Sequence, residues 1–225
     1  DDGAIVSSEL LKYLKNFGSS NEKVRLLNNT KGSRYTALAN VQSQELDAPT
    51  KYTSVKAKYS LGGNNKLTVS IQGTASGLTE VTKSYTFTRN SHLVEVQQLV
   101  KNTSNKKIEW RQYNTLSRGE ETEGNVMLYT YTGAAYFDSE DKFNKIDFSD
   151  IENESFQKEA KTSWISMIQH YFFTAWLPSD KGSDKKTIYT RLLSEDNKNS
   201  YQIGSVDNYI ALFPGESYVF DSKLY

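Results

Sequence analysis

Residues 164–178 read WISMIQHYFFTAWLP, an aromatic-rich stretch with one histidine in a chain that is otherwise polar. Apolar side chains occur at both odd and even positions of this stretch, for example Ile165 and Trp164. Because a strand that is apolar on both faces must be covered on both sides, the pattern predicts a strand buried between two layers. The polar pair Gln169 and His170 interrupts both faces. This interruption indicates a bend or the mouth of a groove.

Alternation of apolar and polar residues extends outward from this stretch over much of the chain. Leu67, Val69 and Ile71 share one face of a segment, and the same period of two recurs from about residue 50 onward. The breaks between such segments carry turn-forming residues, such as GGNN at 62–65 and Arg-Gly at 118–119. Alternation broken by turns about every dozen residues predicts antiparallel hairpins.

The first seventeen residues allow two interpretations. One side of a helix could be lined by Val6, Leu10, Leu11, Leu14 and Phe17. A strand with its loops fits the alternation found in the rest of the chain. The residues alone do not decide between the two.

Composition and charge exclude several classes of function. The chain has 225 residues, with 27 Lys and Arg against 27 Asp and Glu, so its formal net charge is zero. A balanced charge does not mark a protein that binds the phosphate backbone of nucleic acid. The absence of cysteine excludes a disulfide framework, a thiol nucleophile and a thiolate metal site. No apolar run approaches the roughly 18 to 20 residues needed to cross a bilayer, and the chain length fits one large β domain.

Sequence motifs for catalysis, metal binding or nucleotide binding are absent. There is no GxSxG, HExxH, P-loop or GxGxxG pattern, and His92 and His170 are too far apart in sequence for a local metal site. The acidic run at 138–150 lacks the glycine and the carboxylate spacing of a calcium loop. The longer charged stretch that contains this run, at 138–161, predicts a solvated face with loops around short edge strands. We expect no cofactor and no metal.

Residues 212–218, LFPGESY, place a Pro-Gly turn before a further alternating strand. This segment resembles the closing strand of the galactose-mutarotase-like β-supersandwich proteins. QHYF at 169–172 is faintly similar to the NHxYFN segment that carries the catalytic histidine of those enzymes, which pair it with a carboxylate on the strand before the closing turn. Here the expected place holds Gly204 and Ser205, and Asp207 is the acid nearby. The resemblance therefore implies the fold and weakens the catalytic interpretation, because opening a sugar ring needs an acid-base pair.

A second resemblance covers nearly the whole chain. YTGAAYFDSEDKFNKIDF at 131–148, followed by the aromatic stretch, resembles the large periplasmic domain of the YidC-type membrane protein insertases of Gram-negative bacteria. That family has a GAAY segment, a charged run with alternating aromatic residues, and then W-x-x-M-x-Q-x-YF-x-x-AW-x-P. The residues that match this pattern are Gly133, Ala134, Ala135, Tyr136, Trp164, Met167, Gln169, Tyr171, Phe172, Ala175, Trp176 and Pro178.

The YidC resemblance implies an all-β fold, a β-supersandwich of antiparallel sheets with few short helices, formed by residues 1–225 as a single domain. It favours a strand over a helix near the start of the chain. It implies a location in the periplasm, as part of an inner-membrane protein whose membrane helices lie outside this chain. It also implies that the chain lacks the first strand of the domain and the helical connector that follows the domain.

The function implied is that of a non-catalytic insertase and chaperone module, in which His170 fills a core or lines a groove. The implied partners are SecDF, the SecYEG translocon and nascent membrane proteins, with no nucleic acid among them. In the family, SecDF contact is linked to the part that matches roughly residues 128–177. The outward-facing candidates for this contact are Asp138, Glu140, Asp141, Lys142, Lys145 and Asp147.

Two other functions stay open on the sequence. One is a mutarotase-like, sugar-active enzyme that uses His170. The other is a carbohydrate-binding β domain with exposed Trp or Tyr platforms, which burial of Trp164 and Trp176 would argue against. The charged candidates for partner contact also have a simpler interpretation as ordinary solvated side chains.

Overall fold

The computed structural model describes residues 2–14, 22–30, 34–46, 51–119, 131–169, 171–178, 185–195 and 198–225. Within these ranges the chain forms antiparallel strands and one short helix, so the all-β fold predicted from the sequence is confirmed. In chain order the elements are β1 (Ser8–Leu14), β2 (Lys23–Leu27), β3 (Tyr35–Ser43), β4 (Lys51–Ser54), β5 (Lys66–Ala75), β6 (Thr79–Thr88), β7 (Val94–Asn102), β8 (Ile108–Gly119), β9 (Thr132–Asp138), β10 (Lys142–Ile146), α1 (Phe148–Asn153), β11 (Gln157–Lys161), β12 (Trp164–Gln169), β13 (Phe172–Leu177), β14 (Lys185–Glu195), β15 (Lys198–Asp207), β16 (Ile210–Leu212) and β17 (Ser217–Leu224).

Two large sheets carry the fold. In the larger sheet the strand order, over the ranges given above, is β10-β9-β12-β13-β17-β7-β6-β5-β4. In the smaller sheet the order is β11-β14-β15-β8-β16, and β3 also pairs with β8. One face of the larger sheet packs on one face of the smaller sheet, as in a β-sandwich.

The stretch at 164–178 forms two strands, which corrects the prediction of a single buried strand. β12 and β13 are antiparallel neighbours, with Ile165 directly opposite Trp176. Directly opposed residues share a face of the sheet. The inward side chains therefore have odd numbers in β12 and even numbers in β13. That switch places apolar residues on both parities. The polar break lies where the chain reverses, while His170 itself lies outside the described residues.

The core lies between the two sheets and is tied together by buried hydrogen bonds. Ile165, Met167 and Trp176 of the larger sheet are at most 2 % exposed. The indole N–H of Trp176 donates to the carbonyl of Thr115 on β8, at 3.0 Å. The hydroxyl of Tyr35 on β3 donates to the carbonyl of Met167, at 3.1 Å. Each bond satisfies a polar group that would otherwise be buried without a partner.

The beginning of the chain is extended. β1 pairs with β2, and bridges from Ile5 to Ala37 and from Asn28 to Tyr35 attach this segment to β3. The helical alternative for the first seventeen residues is therefore wrong over β1, where cross-strand pairing satisfies the backbone. Residues 15–17, which belonged to the same alternative, lie outside the described ranges.

The charged run folds at one edge of each large sheet. β10 is the terminal strand of the larger sheet and β11 that of the smaller sheet, so the prediction of short edge strands is confirmed. Between them, the backbone N–H of Asp147 donates to the carboxylate of Asp150 (3.2 Å) at the start of α1. Short, charged edge strands resist pairing with other sheets. Across the described ranges, no helix is long and apolar enough to cross a membrane.

Candidate functional site

The GAAY segment lies on β9, and all four of its residues are buried. Gly133 is required by a close approach, since an added Cβ would lie 2.4 Å from the hydroxyl oxygen of Tyr131. That hydroxyl lies 2.8 Å from the carbonyl oxygen of Ala134 and 3.0 Å from that of Ile146, either of which can accept its proton. The segment therefore holds β9 against β10 and the core.

The second motif forms the hairpin of β12 and β13. Its buried members are Met167, Ala175 and Trp176, and its half-buried members are Trp164, Gln169, Phe172 and Pro178. Trp164 stacks on Phe137 with ring centroids 5.9 Å apart, on the face away from the smaller sheet. Tyr171 stands at the turn and is 77 % exposed. The burial of Trp176 and the coverage of Trp164 argue against a carbohydrate platform made by these two rings.

An apolar groove of about 680 Å³ lies beside the turn between β12 and β13. The Tyr13 ring packs edge-on against the Phe172 ring, with the centroids 5.4 Å apart. The ring centroids of Phe173 and Tyr225 are also 5.4 Å apart. A groove was one of the two outcomes predicted from the polar break in the aromatic stretch. Its lining combines aromatic and aliphatic side chains, and His92 is the histidine found in it among the described residues.

Asp138 is buried, which corrects the prediction that it faces outward. Its side chain is 1 % exposed, and its carboxylate accepts from the backbone N–H groups of Glu140 (2.7 Å) and Asp141 (2.6 Å). It also accepts from the ammonium of Lys158 at 2.6 Å. Burial opposes its ionisation, but the bonds from Lys158 and the two N–H groups hold the pKa of Asp138 below its usual value. The carboxylate is directed inward because it caps the turn between β9 and β10.

The remaining charged candidates are exposed as predicted, and they are Glu140, Asp141, Lys142, Lys145 and Asp147. The Asp141 carboxylate also contacts the Lys158 ammonium. A carboxylate oxygen of Glu140 lies 3.8 Å from the ammonium nitrogen of Lys161, and both side chains are exposed. Exposed pairs of this kind contribute little to stability. Their arrangement gives the β9–β10 edge a mixed charge that a polar partner could complement.

A polar cleft of about 610 Å³ lies on the open face of the smaller sheet, and sequence reasoning missed it. Its lining includes Gln42, Arg111, Arg191 and Gln202, from four different strands. A second cleft of about 550 Å³ adjoins it, and Gln202 lines both. The sequence held one signal for this cleft. Every second residue of β8 is polar and faces away from the core, while the residues between them face the core. The strands that complete the cleft come together only through sheet pairing.

Tyr189 lines the polar cleft, and its ring lies against Gly204 on the neighbouring strand β15. A Cβ on Gly204 would lie 2.3 Å from the Tyr189 ring, so the glycine allows this ring to lie across the sheet. Asp207, the acid that sequence analysis noted nearby, forms an ion pair with Lys186 at 2.8 Å. Both side chains of this pair are mostly buried.

Sequence comparisons match the chain to one family. The family model described as the YidC periplasmic domain matches residues 1–225. A membrane protein insertase YidC of Methylobacillus flagellatus is 35 % identical over 176 residues, which cover 77 % of this chain and 31 % of that protein. One of Legionella pneumophila is 33 % identical over 239 residues, covering 100 % of this chain and 41 % of that protein. The chain therefore spans about a third to two fifths of the length of these curated relatives.

Solved structures of sugar enzymes resemble the chain in fold. The GH36 α-galactosidase AgaA of Geobacillus stearothermophilus superposes with a TM-score of 0.52 at 11 % identity, over 94 % of this chain and 31 % of that one. A galactose mutarotase related enzyme of Lactobacillus acidophilus gives a TM-score of 0.48 at 10 % identity, over 79 % of this chain and 71 % of that one. At such low identity the likeness to the galactosidase shows a shared fold alone.

Proposed function

The chain belongs to the YidC periplasmic domain family, and on this premise we propose that it is a non-catalytic module of a membrane protein insertase and chaperone. The domain then works on the periplasmic side of the inner membrane, where the full-length protein assists the insertion and folding of nascent membrane proteins. The observation that carries this proposal is the family match over residues 1–225, joined by relatives named as insertases.

We further propose that the edge formed by β9 and β10 contacts Sec translocon partners, SecDF first and SecYEG with it. The support is the exposure of both signs of charge on a terminal strand, with Glu140 beside Lys142 and Lys145. A polar edge can form a weak interface without exposing a large apolar patch. Such a contact depends on salt, because exposed charges are screened within about 8 to 10 Å at physiological ionic strength.

The test reverses three exposed charges in the full-length protein with Glu140→Lys, Lys142→Glu and Lys145→Glu. We expect reduced recovery of SecDF at low salt, and little difference from wild type at high salt, because both proteins then bind weakly. Asp138 is left intact, since its carboxylate holds the turn.

The matched control reverses exposed charges on the opposite half of the larger sheet, with Glu80→Lys, Lys66→Glu and Lys101→Glu. This control changes the net charge of the protein by the same two units as the edge variant and should leave SecDF recovery unchanged. Equal recovery of SecDF by the edge variant and the control, with both folded by circular dichroism, would exclude the edge as the contact.

A further inference from the structure

The edge of the larger sheet formed by β4 carries positive charge alone, although the chain as a whole is neutral. Residues 51–79 include four lysines and no Asp or Glu, whereas the whole chain has 27 basic against 27 acidic residues. β4 is the terminal strand of the sheet, and the segment 55–65 connects it to β5. All four lysines are exposed; we call them the cationic edge, and they are Lys51, Lys56, Lys58 and Lys66.

Neighbouring carboxylates do not neutralise the cationic edge. Within the part of the chain that the structure describes, none of the four lysines forms an ion pair with an acidic side chain. Lys51 lies opposite Thr74, which in turn lies opposite Glu80, but the Glu80 carboxylate already lies 4.0 Å from the ammonium of Lys101. The charge of the cationic edge is therefore available to a partner.

The cationic edge is a row and not a pocket. Lys66 begins β5, and Lys51 lies opposite Thr74 at the other end of the same strand, so about 26 Å separates them at 3.3 Å per residue. Lys66 and Thr74 lie on the exposed face of β5. None of the four lysines lines the apolar groove or either polar cleft. Such a row matches an extended surface better than a small ligand.

Local hydrogen bonds fix the segment that carries the middle two lysines. The hydroxyl of Ser54 donates to the carbonyl of Lys56 at 2.8 Å. The guanidinium of Arg89 donates to the carbonyls of Gly62 at 2.5 Å and Asn64 at 2.9 Å. Cations on a fixed segment lose less entropy on binding than cations on a freely moving chain.

The opposite end of the larger sheet is negative. Residues 138–161 have eight acidic residues against four basic ones, and they include β10, the terminal strand at that end. Nine strands at about 4.8 Å from one to the next place β10 about 38 Å from β4 along the sheet. Charges are screened within about 8 to 10 Å at physiological ionic strength, so each end meets a charged surface by itself.

We propose that the cationic edge docks on the anionic headgroups of a lipid bilayer, with the β9–β10 edge directed away from it. A row of exposed lysines matches a plane of anionic headgroups, and each lysine close to such a surface strengthens binding about fivefold. The same surface repels the acidic end, which selects this orientation. The inference rests on the proposed function only in naming the bilayer, which is then the inner membrane.

The experiment measures cosedimentation of the 225-residue chain with lipid vesicles. Vesicles of phosphatidylcholine alone are compared with vesicles in which about a third of the lipid is phosphatidylglycerol, at low and at high salt. We expect binding to the anionic vesicles to be at least about tenfold tighter at low salt, and to be lost at high salt because the lysines are exposed.

Variants assign the binding to the cationic edge. The edge variant combines Lys51→Gln, Lys56→Gln and Lys58→Gln and should lose at least about tenfold in affinity for the anionic vesicles. The matched control removes three exposed lysines from β1, β11 and β15, with Lys12→Gln, Lys161→Gln and Lys198→Gln. It changes the net charge equally and should still bind.

The orientation is tested with single fluorescent labels, since the chain has no cysteine of its own. An environment-sensitive dye on Ser60→Cys, between β4 and β5, should shift to shorter wavelength with anionic vesicles. The same dye on Ser139→Cys, between β9 and β10, should not shift. Equal shifts at the two positions would exclude the proposed orientation.

Three results overturn the docking itself, provided that circular dichroism shows folded variants. They are equal binding to neutral and anionic vesicles, absence of binding to either, and equal binding by the edge variant and the control. A soluble Glu-rich peptide that displaces the chain from the vesicles and binds it as tightly would instead identify a polypeptide site, and would also overturn docking on lipid. No Sec protein is present in these measurements, so they fail or succeed independently of Sec partner recovery.

Discussion

At the scale of single residues, Trp176 links the two sheets. Its side chain is 2 % exposed, and its N–H donates to the carbonyl of Thr115 at 3.0 Å. Trp176→Ala should lower the free energy of unfolding by about 3 to 5 kcal/mol, since it leaves a cavity and an unpaired carbonyl. Urea melts measure this loss. Trp164→Ala is the control on the other face of the same hairpin and should cost clearly less. A loss below about 1 kcal/mol for Trp176→Ala would contradict its place in the core.

Lys83 is a charged residue that the fold buries. It shares the parity of Val81 and Tyr85 on β6 and has no exposed surface. Its ammonium nitrogen donates to the carbonyl of Asp2 at 2.8 Å and lies 4.4 Å from the centroid of the Tyr52 ring. Burial lowers the pKa of Lys83 to about 7, and the Asp2 carboxylate only partly opposes this effect.

The pKa of Lys83 predicts how stability changes with pH. Between pH 7 and about 10.5, the unfolded chain keeps a proton on this lysine that the folded chain has lost. The free energy of unfolding should therefore rise with pH over this window, on the order of 3 to 5 kcal/mol in total. Above about pH 10 the buried hydroxyls of Tyr35 and Tyr85, whose pKa values are raised by burial, act in the opposite direction.

Denaturant melts from pH 7 to 10 test this prediction, with Lys83→Met as the matched variant. Methionine fills a similar volume without a titrating group, so the rise in stability with pH should largely disappear. A variant that keeps the full rise would show that another group causes it.

At the scale of elements, the turn between β9 and β10 depends on the buried carboxylate of Asp138. Asp138→Asn should cost about 1 to 3 kcal/mol, because the Lys158 ammonium loses its buried partner. Glu140→Gln, at an exposed position of the same turn, should change stability by less than about 0.5 kcal/mol. Because the pKa of Asp138 is lowered, its contribution should be present above about pH 4 and lost on further acidification. Similar melts for the two variants would contradict the buried role.

The sequence predicted the strands better than it predicted the turns at which the chain reverses between them. Alternation indicated the strands correctly, because one face of each strand packs on the core while the other meets solvent. The reversal between β12 and β13 was missed because the segment at 169–172, QHYF, has none of the Gly, Pro, Asn or Asp residues that mark turns. The buried state of Asp138 was missed because it depends on Lys158 from another strand. The polar cleft was missed for the same reason, since Arg111 and Arg191 line one cleft only through the pairing of strands that are distant in sequence.

At the scale of the whole molecule, the edges of the two large sheets are joined. Lys158 on β11, the terminal strand of the smaller sheet, binds Asp138 at the end of β9 in the larger sheet. The Tyr201 ring of β15 also stacks on the Phe148 ring of α1, with the ring centroids 4.1 Å apart, and both side chains pack on the core between the sheets. The proposed partner edge and the polar cleft therefore lie on two different sheets, which these contacts join. Substitutions at one surface can be tested without altering the other.

The last prediction concerns catalysis by the molecule as a whole, and we expect the 225-residue chain not to accelerate aldose mutarotation. Ring opening needs an acid and a base placed together. The strand region where mutarotase-like enzymes carry their carboxylate holds Gly204, which lies against the Tyr189 ring, and nearby Asp207 is already paired with Lys186 at 2.8 Å. Polarimetry with freshly dissolved galactose and glucose should give the uncatalysed rate for wild type and for His170→Ala alike. An accelerated rate that His170→Ala abolishes would overturn the proposal of a non-catalytic domain, whereas an acceleration that persists in this variant would point to a contaminating enzyme.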